Sequence, residues 1–154
     1  MDILHVLVRC FNEDKWWKFY CRSRNSKSKF LRKYYAFRFM RMAAKNGGYV
    51  GKEVTILGKP DFKHDFHGVH INRKTVIGRN VQICPNVILG SRTPGGDGPT
   101  ICDDVYIGAN AVIVGKIRVG KGAKIGAGAI VIDDVPDGAT VVSLKGLVLN
   151  KNAQ

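Results

Sequence analysis

The chain has 154 residues, 45% of them apolar, enough for one buried core and too apolar for a chain disordered throughout. Its formal charge is +13, and residues 1–49 carry twelve Lys/Arg against three acids while the remainder carries thirteen against nine. Cys10, Cys21, Cys84 and Cys102 form no CxxC pair and no zinc spacing, so reduced thiols are the expectation and no zinc module is indicated.

In chain order, "ILHVLV" is too short to span a bilayer and no cleavage pattern follows it. A soluble, cytoplasmic protein is expected, with contact between the basic N-terminus and an anionic surface left open. "NEDKWWKFYCR" predicts a short helix with Glu13 and Asp14 in its first turn, and "SRNSKSK" a linker. "KFLRKYYAFRFMRMAAKNGG" predicts a longer helix, in which Leu31, Tyr34 or Tyr35, Arg38 and Met42 follow three- and four-residue steps and Gly47-Gly48 is the stop. Residues 1–49 are thus expected to form a basic helical cap whose core is Trp16, Trp17, Tyr34 and Phe37. Its cations with interleaved aromatics are also the composition of a nucleic-acid surface, but a solvated capping helix explains them more simply, and no nucleic-acid partner is expected.

"YVGKEVTILGKPDF" opens a repeat at Val50 that becomes regular from Ile71. The hexads run INRKTV, IGRNVQ, ICPNVI, LGSRTP, GGDGPT, ICDDVY, IGANAV, IVGKIR, VGKGAK, IGAGAI, VIDDVP. Nearly all begin with Ile, Val or Leu, and most carry Thr, Val, Ala or Ile at position five. A period of six fits neither a helix nor an alternating strand. It fits a triangular coil in which three hexads make one turn of a parallel β-helix, with position one inward and stacked about 4.8 Å above its neighbour. The expected fold is mainly β, a parallel β-helix over 50–154 with a loop at 90–100, capped by residues 1–49. The early copy differs in phase by three, and the shift falls at residues 62–70. Cys84 and Cys102, eighteen residues apart and both at position two, are expected to stack on one face. Pro136 and Gly138 end the repeat, and "ATVVSLKGLVL" predicts a last strand or two.

The phase shift contains "FKHDFHGVHI", with His64, His67 and His70. Three readings compete here: a metal cage, a catalytic base with bystanders, or surface imidazoles. A metal site of this kind needs ligands converging from distant coils, and the later coils hold no histidine, so no metal is expected. An imidazole titrating near neutrality suits a general base. No activated Ser or Cys nucleophile motif stands out, which favours direct transfer over a covalent enzyme intermediate.

"HGVHINRKTVIGRNVQICPNVILGS" and "GPTICDDVYIGANAVIVGKIRVGKGAKIGAGAIVIDDVPDGATVV", with His64 ahead of them, resemble a hexapeptide-repeat O-acetyltransferase. They are most similar to the serine acetyltransferase group and its relatives from capsule and surface-polysaccharide loci. The resemblance spans about residues 50–143. It implies a homotrimer of left-handed β-helices, acetyl-CoA as co-substrate in the groove between subunits, and an acceptor hydroxyl beside a histidine base. By position, His64 matches the base through its gap to Gly68, and His67 is the fallback. The gap in the serine enzymes is one shorter and falls on Asp65, which is assigned to the acceptor side. Gly90, Ser91, Ala109, Lys124, Gly126 and Ala127 match the CoA groove, with Lys124 or Lys121 toward the CoA phosphates.

Two departures bear on the acceptor. Lys63 stands where the serine enzymes carry an Asp before the histidine. The loop ends "GGDGPTI", without the Arg-His pair that serves the acceptor there. Losing a cation that would hold a carboxylate argues for a sugar hydroxyl of a surface polysaccharide or its precursor, with L-serine as the alternative. A non-enzymatic alternative is a trimeric scaffold whose basic N-terminus binds polyanions in a salt-dependent way.

Overall fold

A computed structural model describes residues 15–64 and 66–144. Helix α1 covers residues 15–25 and helix α2 Lys29–Lys45, so the linker narrows from the expected seven residues to 26–28. Glu13, Asp14, Cys10 and residues 145–149 of the expected last strands lie outside the described residues. Helix α2 stops as its glycine pair predicts. Gly47 takes φ +68°, and the N–H groups of Gly47 and Gly48 donate to the carbonyls of Ala44 and Ala43 at 3.1 and 3.0 Å. This is the paired closure that an αL residue after a helix permits.

Fourteen short strands follow among the described residues. The first coil is β1 (Tyr49–Val50), β2 (Thr55–Ile56) and β3 (Asp61–Phe62), and the second is β4 (His70–Ile71), β5 (Val76–Ile77) and β6 (Gln82–Ile83). The third is β7 (Ile88–Gly90), β8 (Thr100–Ile101) and β9 (Tyr106–Ile107), and the fourth is β10 (Val112–Val114), β11 (Arg118–Val119) and β12 (Lys124–Ile125). Strands β13 (Ile130–Val131) and β14 (Thr140–Val141) belong to a last partial coil. Parallel pairing sorts them into three flat faces. The first is β1-β4-β7-β10-β13, the second β2-β5-β8-β11, and the third β3-β6-β9-β12-β14.

The hexad rule describes the interior. Ile71, Ile77, Ile83, Leu89, Ile101, Ile107, Ile113, Val119, Ile125 and Val131 are buried at position one, and small residues such as Val81, Ala111, Ala123 and Ala129 at position five. Residues on the other side of each two-residue strand face solvent. The three-residue phase shift is real: Tyr49 pairs with His70, a step of 21, whereas His70 pairs with Ile88, a step of 18.

The loop behaves differently from expectation. Val76 pairs with Thr100 and Ile88 with Val112, steps of 24. Six residues therefore bulge out of the coil without advancing it by a face. Cys84 follows β6 on the third face and Cys102 follows β8 on the second, so the two thiols do not stack on one face. Hexad phase survives the loop, because six residues were added, but the assignment to faces does not.

The cap packs on the open edge of the first coil. Tyr20 is buried, and its hydroxyl accepts the N–H of Ile56 at 2.6 Å while lying 3.4 Å from the carbonyls of Val54 and Ile56. The Arg24 guanidinium donates to the carbonyls of Lys52 (3.2 Å) and Val54. These side chains satisfy strand-edge groups that would otherwise be left without partners. Trp16 is buried as expected, against Phe39, Phe62 and Phe66. Tyr34 and Phe37 are not cap core: they are 43% and 58% exposed, and Leu31 is 42% exposed. Helix α2 instead buries Phe39 and Ala43. The three- and four-residue steps find the buried side only in part: Met42 packs against the core and Tyr35 stacks on Phe19, while Leu31 and Tyr34 face solvent, because this helix is apolar on more than one side.

Candidate active site

The corner between the third and first faces carries residues 63–69, 84–87, 108–111 and 126–129, one turn per coil. Each turn needs a left-handed residue, supplied by Asn86 (φ 58°), Asn110 (φ 60°) and Gly128 (φ 68°). Backbone bonds climb the corner: Asn86 N–H to the His67 carbonyl (2.8 Å), Asn110 to Pro85 (3.0 Å), and Gly128 to Ala109 (2.8 Å).

The lowest turn holds the three extra residues. Among the described residues of this turn, the left-handed non-glycine positions are His64 and Phe66, both at φ 59°. Such conformations in bulky residues persist only where the surroundings impose them. The constraint is visible: Phe66 is buried, stacked on Phe62 with ring centroids 3.9 Å apart and edge-on to Trp16 at 5.1 Å. Gly68 follows at φ 63°, where a Cβ would lie 2.0 Å from Asn86 Oδ1, so a side chain there would displace the Asn86 amide. Burying Phe66 throws the residues around it outward. His64 and His67 are both exposed, and the N–H of His67 donates to the His64 carbonyl at 3.3 Å. Among the described residues no side chain is hydrogen-bonded to the His64 ring. His70 is a surface imidazole on β4, its Nδ1 3.0 Å from the Gly68 carbonyl. Lys63 is paired with Asp61. Asp65 lies outside the described residues.

Of the six positions matched to the CoA groove, four sit together. Ala109, Gly126 and Ala127 form a ledge of small side chains on the same corner as His64, higher up the coil. Lys124 stands beside them in the outward column of the third face, above Tyr106 and Gln82. It has no ion pair among the described residues. Lys121 is on a different corner and is paired with Asp104 at 3.7 Å. Gly90 and Ser91 lie at the opposite edge of the first face, where the loop leaves β7. The loop is anchored there: Asp97 meets Lys74 (2.8 Å) and Lys116 (3.7 Å), and Arg92 reaches the Ile132 carbonyl and Asp133. A single chain does not bring these two groups of residues together.

Between the two edges lies the first face, and its outward column is apolar apart from His70. Tyr49, His70, Ile88, Val112 and Ile130 stack in register, with Tyr49 50%, Ile88 40% and Ile130 71% exposed. The sequence reading did not identify this column, nor Phe66. The third face is polar by contrast. There Cys84 donates to the Tyr106 hydroxyl at 3.4 Å, a contact that raises the Tyr106 phenol above its usual range. Among the described residues no three His, Cys, Asp or Glu side chains gather at one point, and no helix is long and apolar enough to cross a membrane.

Comparison with known proteins agrees with this geometry. The family "Bacterial transferase hexapeptide (six repeats)" matches residues 98–133. No curated protein sequence matches the chain. Among solved structures, serine acetyltransferase isoform 3 of Entamoeba histolytica in complex with cysteine is similar with a TM-score of 0.67 and 28% identity, covering 78% of this chain and 44% of that one. The Neisseria gonorrhoeae serine acetyltransferase in complex with serine has a TM-score of 0.60 and 35% identity, covering 81% and 48%. The soybean serine acetyltransferase has a TM-score of 0.61 and 37% identity, covering 79% and 49%. The chain thus spans about half the length of these structures. With its buried hexad positions and three-faced parallel coil, the chain has the left-handed hexapeptide-repeat β-helix fold, carries the transferase hexapeptide repeat over residues 98–133, and is similar over about half their length to the serine acetyltransferases.

Proposed function

We propose that the protein is an acetyl-CoA-dependent O-acetyltransferase in which His64 is the general base. The observation that carries this reading is the position of His64: a left-handed turn residue, pushed outward by the burial of Phe66, on the corner that carries Ala109, Gly126 and Ala127. The small side chains leave the backbone open to an extended pantetheine arm, and Lys124 is the cation we assign to a CoA phosphate. The imidazole takes the acceptor hydroxyl proton as the oxygen attacks the thioester carbonyl, and returns it to the CoA sulfur as the tetrahedral intermediate collapses. Backbone N–H groups of the glycine-rich turns are the candidate oxyanion donors.

The apolar first face supports a homotrimer. Three copies with this face toward a common axis bury Tyr49, Ile88 and Ile130. That arrangement also sets the His64 corner of one copy against the Gly90–Ser91 edge of the next, which would unite the two halves of the predicted CoA set.

The acceptor we favour is a sugar hydroxyl of a surface polysaccharide or its precursor. Lys63 is held by Asp61, and Arg92 is committed to Ile132 and Asp133, so neither is offered to a carboxylate substrate. L-serine is the second reading, favoured by the Neisseria structure, which holds serine. The test is thiol release from acetyl-CoA with glycan acceptors and with L-serine. His64→Ala should lose about 10²–10⁴-fold in turnover with the trimer intact by sedimentation. Wild-type turnover in that variant would remove His64 as base, and failure of the native protein to bind CoA would remove the reaction.

A further inference from the structure

We propose that the outward face of α2 is a docking surface for an anionic phospholipid bilayer. Seen down the helix, Phe39 and Ala43 face the cap core, and the opposite side presents Phe30, Tyr34, Phe37, Arg41 and Lys45 in one continuous stripe. Phe30 is 76% exposed and Phe37 58% exposed. Large aromatics on the solvent side of a surface helix gain nothing from water, and clustered as here they mark an interaction surface. Toward the C-terminal end the stripe becomes basic. On the flank of the helix beside that stripe, Arg38, Met42 and Lys45 are shared by two adjoining concavities of about 290 and 310 Å³, the first reaching in to Trp16 and Phe66 of the cap core and the second bounded by Arg41.

Charge selects the occupant. Residues 15–48 hold eleven Lys/Arg and no Asp or Glu. Among the described residues all eight ion pairs lie in the coil, and none involves a cation of α1 or α2. A second copy would bring a like-charged face against this one, so self-association through α2 is opposed. The rings form a convex stripe on one helix, which a soft interface accepts and a rigid partner would need a groove to match. Aromatic rings entering the headgroup boundary, with Arg and Lys meeting lipid phosphates, is the chemistry of an interfacial helix. The surface is independent of the acetyl-transfer reading. Yet the two are close: the Asn46 carbonyl that ends α2 accepts the N–H of Gly68 at 3.0 Å, so the docking helix adjoins the His64 corner.

The experiment is co-sedimentation of the full chain with vesicles of phosphatidylcholine alone and of phosphatidylcholine mixed with phosphatidylglycerol. Binding is expected only to the mixed vesicles and should weaken with salt. Phe30→Ser with Phe37→Ser should lower partitioning about tenfold or more, and Arg41→Ala and Lys45→Ala about fivefold each. All four side chains are exposed, so unchanged melting and unchanged CoA binding certify the fold. Binding that ignores the two phenylalanines, or equal binding to neutral vesicles, would overturn the proposal. So would a change of oligomeric state in the phenylalanine variant, which would make the stripe a contact between copies, or loss of vesicle binding to competing nucleic acid at equal charge.

Discussion

In the coil, a residue's burial follows from its place in the hexad, and many of its charges are paired locally, as with Arg118 against Asp137 at 2.8 Å. In the cap, burial follows from an aromatic cluster without a period, Trp16, Tyr20, Phe39 and Phe66, and the cations are not answered by carboxylates among the described residues. The coil is built to be complete in its layers. The cap is built to close one end and to meet something anionic at the other. The joint between the two is Phe66, supplied by the coil and buried in the cap.

The largest expected effect is at that joint. Phe66→Ala should destabilise by about 3–5 kcal/mol and red-shift the emission of the Trp16–Trp17 pair, with the cap released before the coil in denaturant. The matching change inside the coil, Ile107→Ala, should cost about 2–5 kcal/mol and lower the main β transition instead. A single shared transition in both variants, read by tryptophan emission and by far-ultraviolet dichroism, would show that cap and coil unfold as one unit.

Next is Tyr20→Phe, which leaves the Ile56 N–H without its acceptor. A loss of about 1–3 kcal/mol is expected, measured by denaturant titration, and an unchanged midpoint would mean that water serves that edge equally well.

The smallest effect separates the regions by pH. Asp97 is held below the usual carboxylate range chiefly by its hydrogen bond to Lys74, and Asp137 by that to Arg118. Both folded values are depressed, so their stabilisation is present above about pH 4 and is lost as pH falls through the folded values. Both carboxylates are exposed, so the change should be slight and screened by salt. Protection factors for hydrogen exchange in the loop at 90–100, corrected for the intrinsic slowing of exchange in acid, should fall as pH falls. The cap, with no carboxylate in residues 15–48, should show no such change in the emission of its two tryptophans.

The coil was legible because its physics is periodic: position one must be aliphatic in every hexad, whatever the face. The cap was legible as helices but not as a packing. Helix α2 carries rings on two sides, and spacing alone could not say that Phe39 faces in while Tyr34 and Phe37 face out. The stacking of Cys84 with Cys102 failed because phase does not count faces when a loop takes up a whole hexad. The apolar first face had a readable signal that was overlooked. Ile88, Val112 and Ile130 sit at the sixth position of ICPNVI, IGANAV and IGAGAI, where Tyr106, Arg118 and Lys124 stand in other hexads. His64 could be singled out in the sequence, but its outward aim depends on Phe66, whose burial no local pattern announced.

The three coil lengths have a further consequence for how this chain can change length. Excising residues 112–129 would take out one complete storey, since Val112 stands directly below Ile130, and every later side chain would keep its compass bearing. Excising six residues from a regular stretch would preserve the buried row yet rotate everything downstream by a third of a turn, moving Lys124 away from the His64 edge. A six-residue insertion is harmless only where it is spilled outside the wall, as at 90–100. Length variants of this protein should therefore fall into two kinds, those that add or remove height and those that lengthen a loop, with the intermediate kind missing.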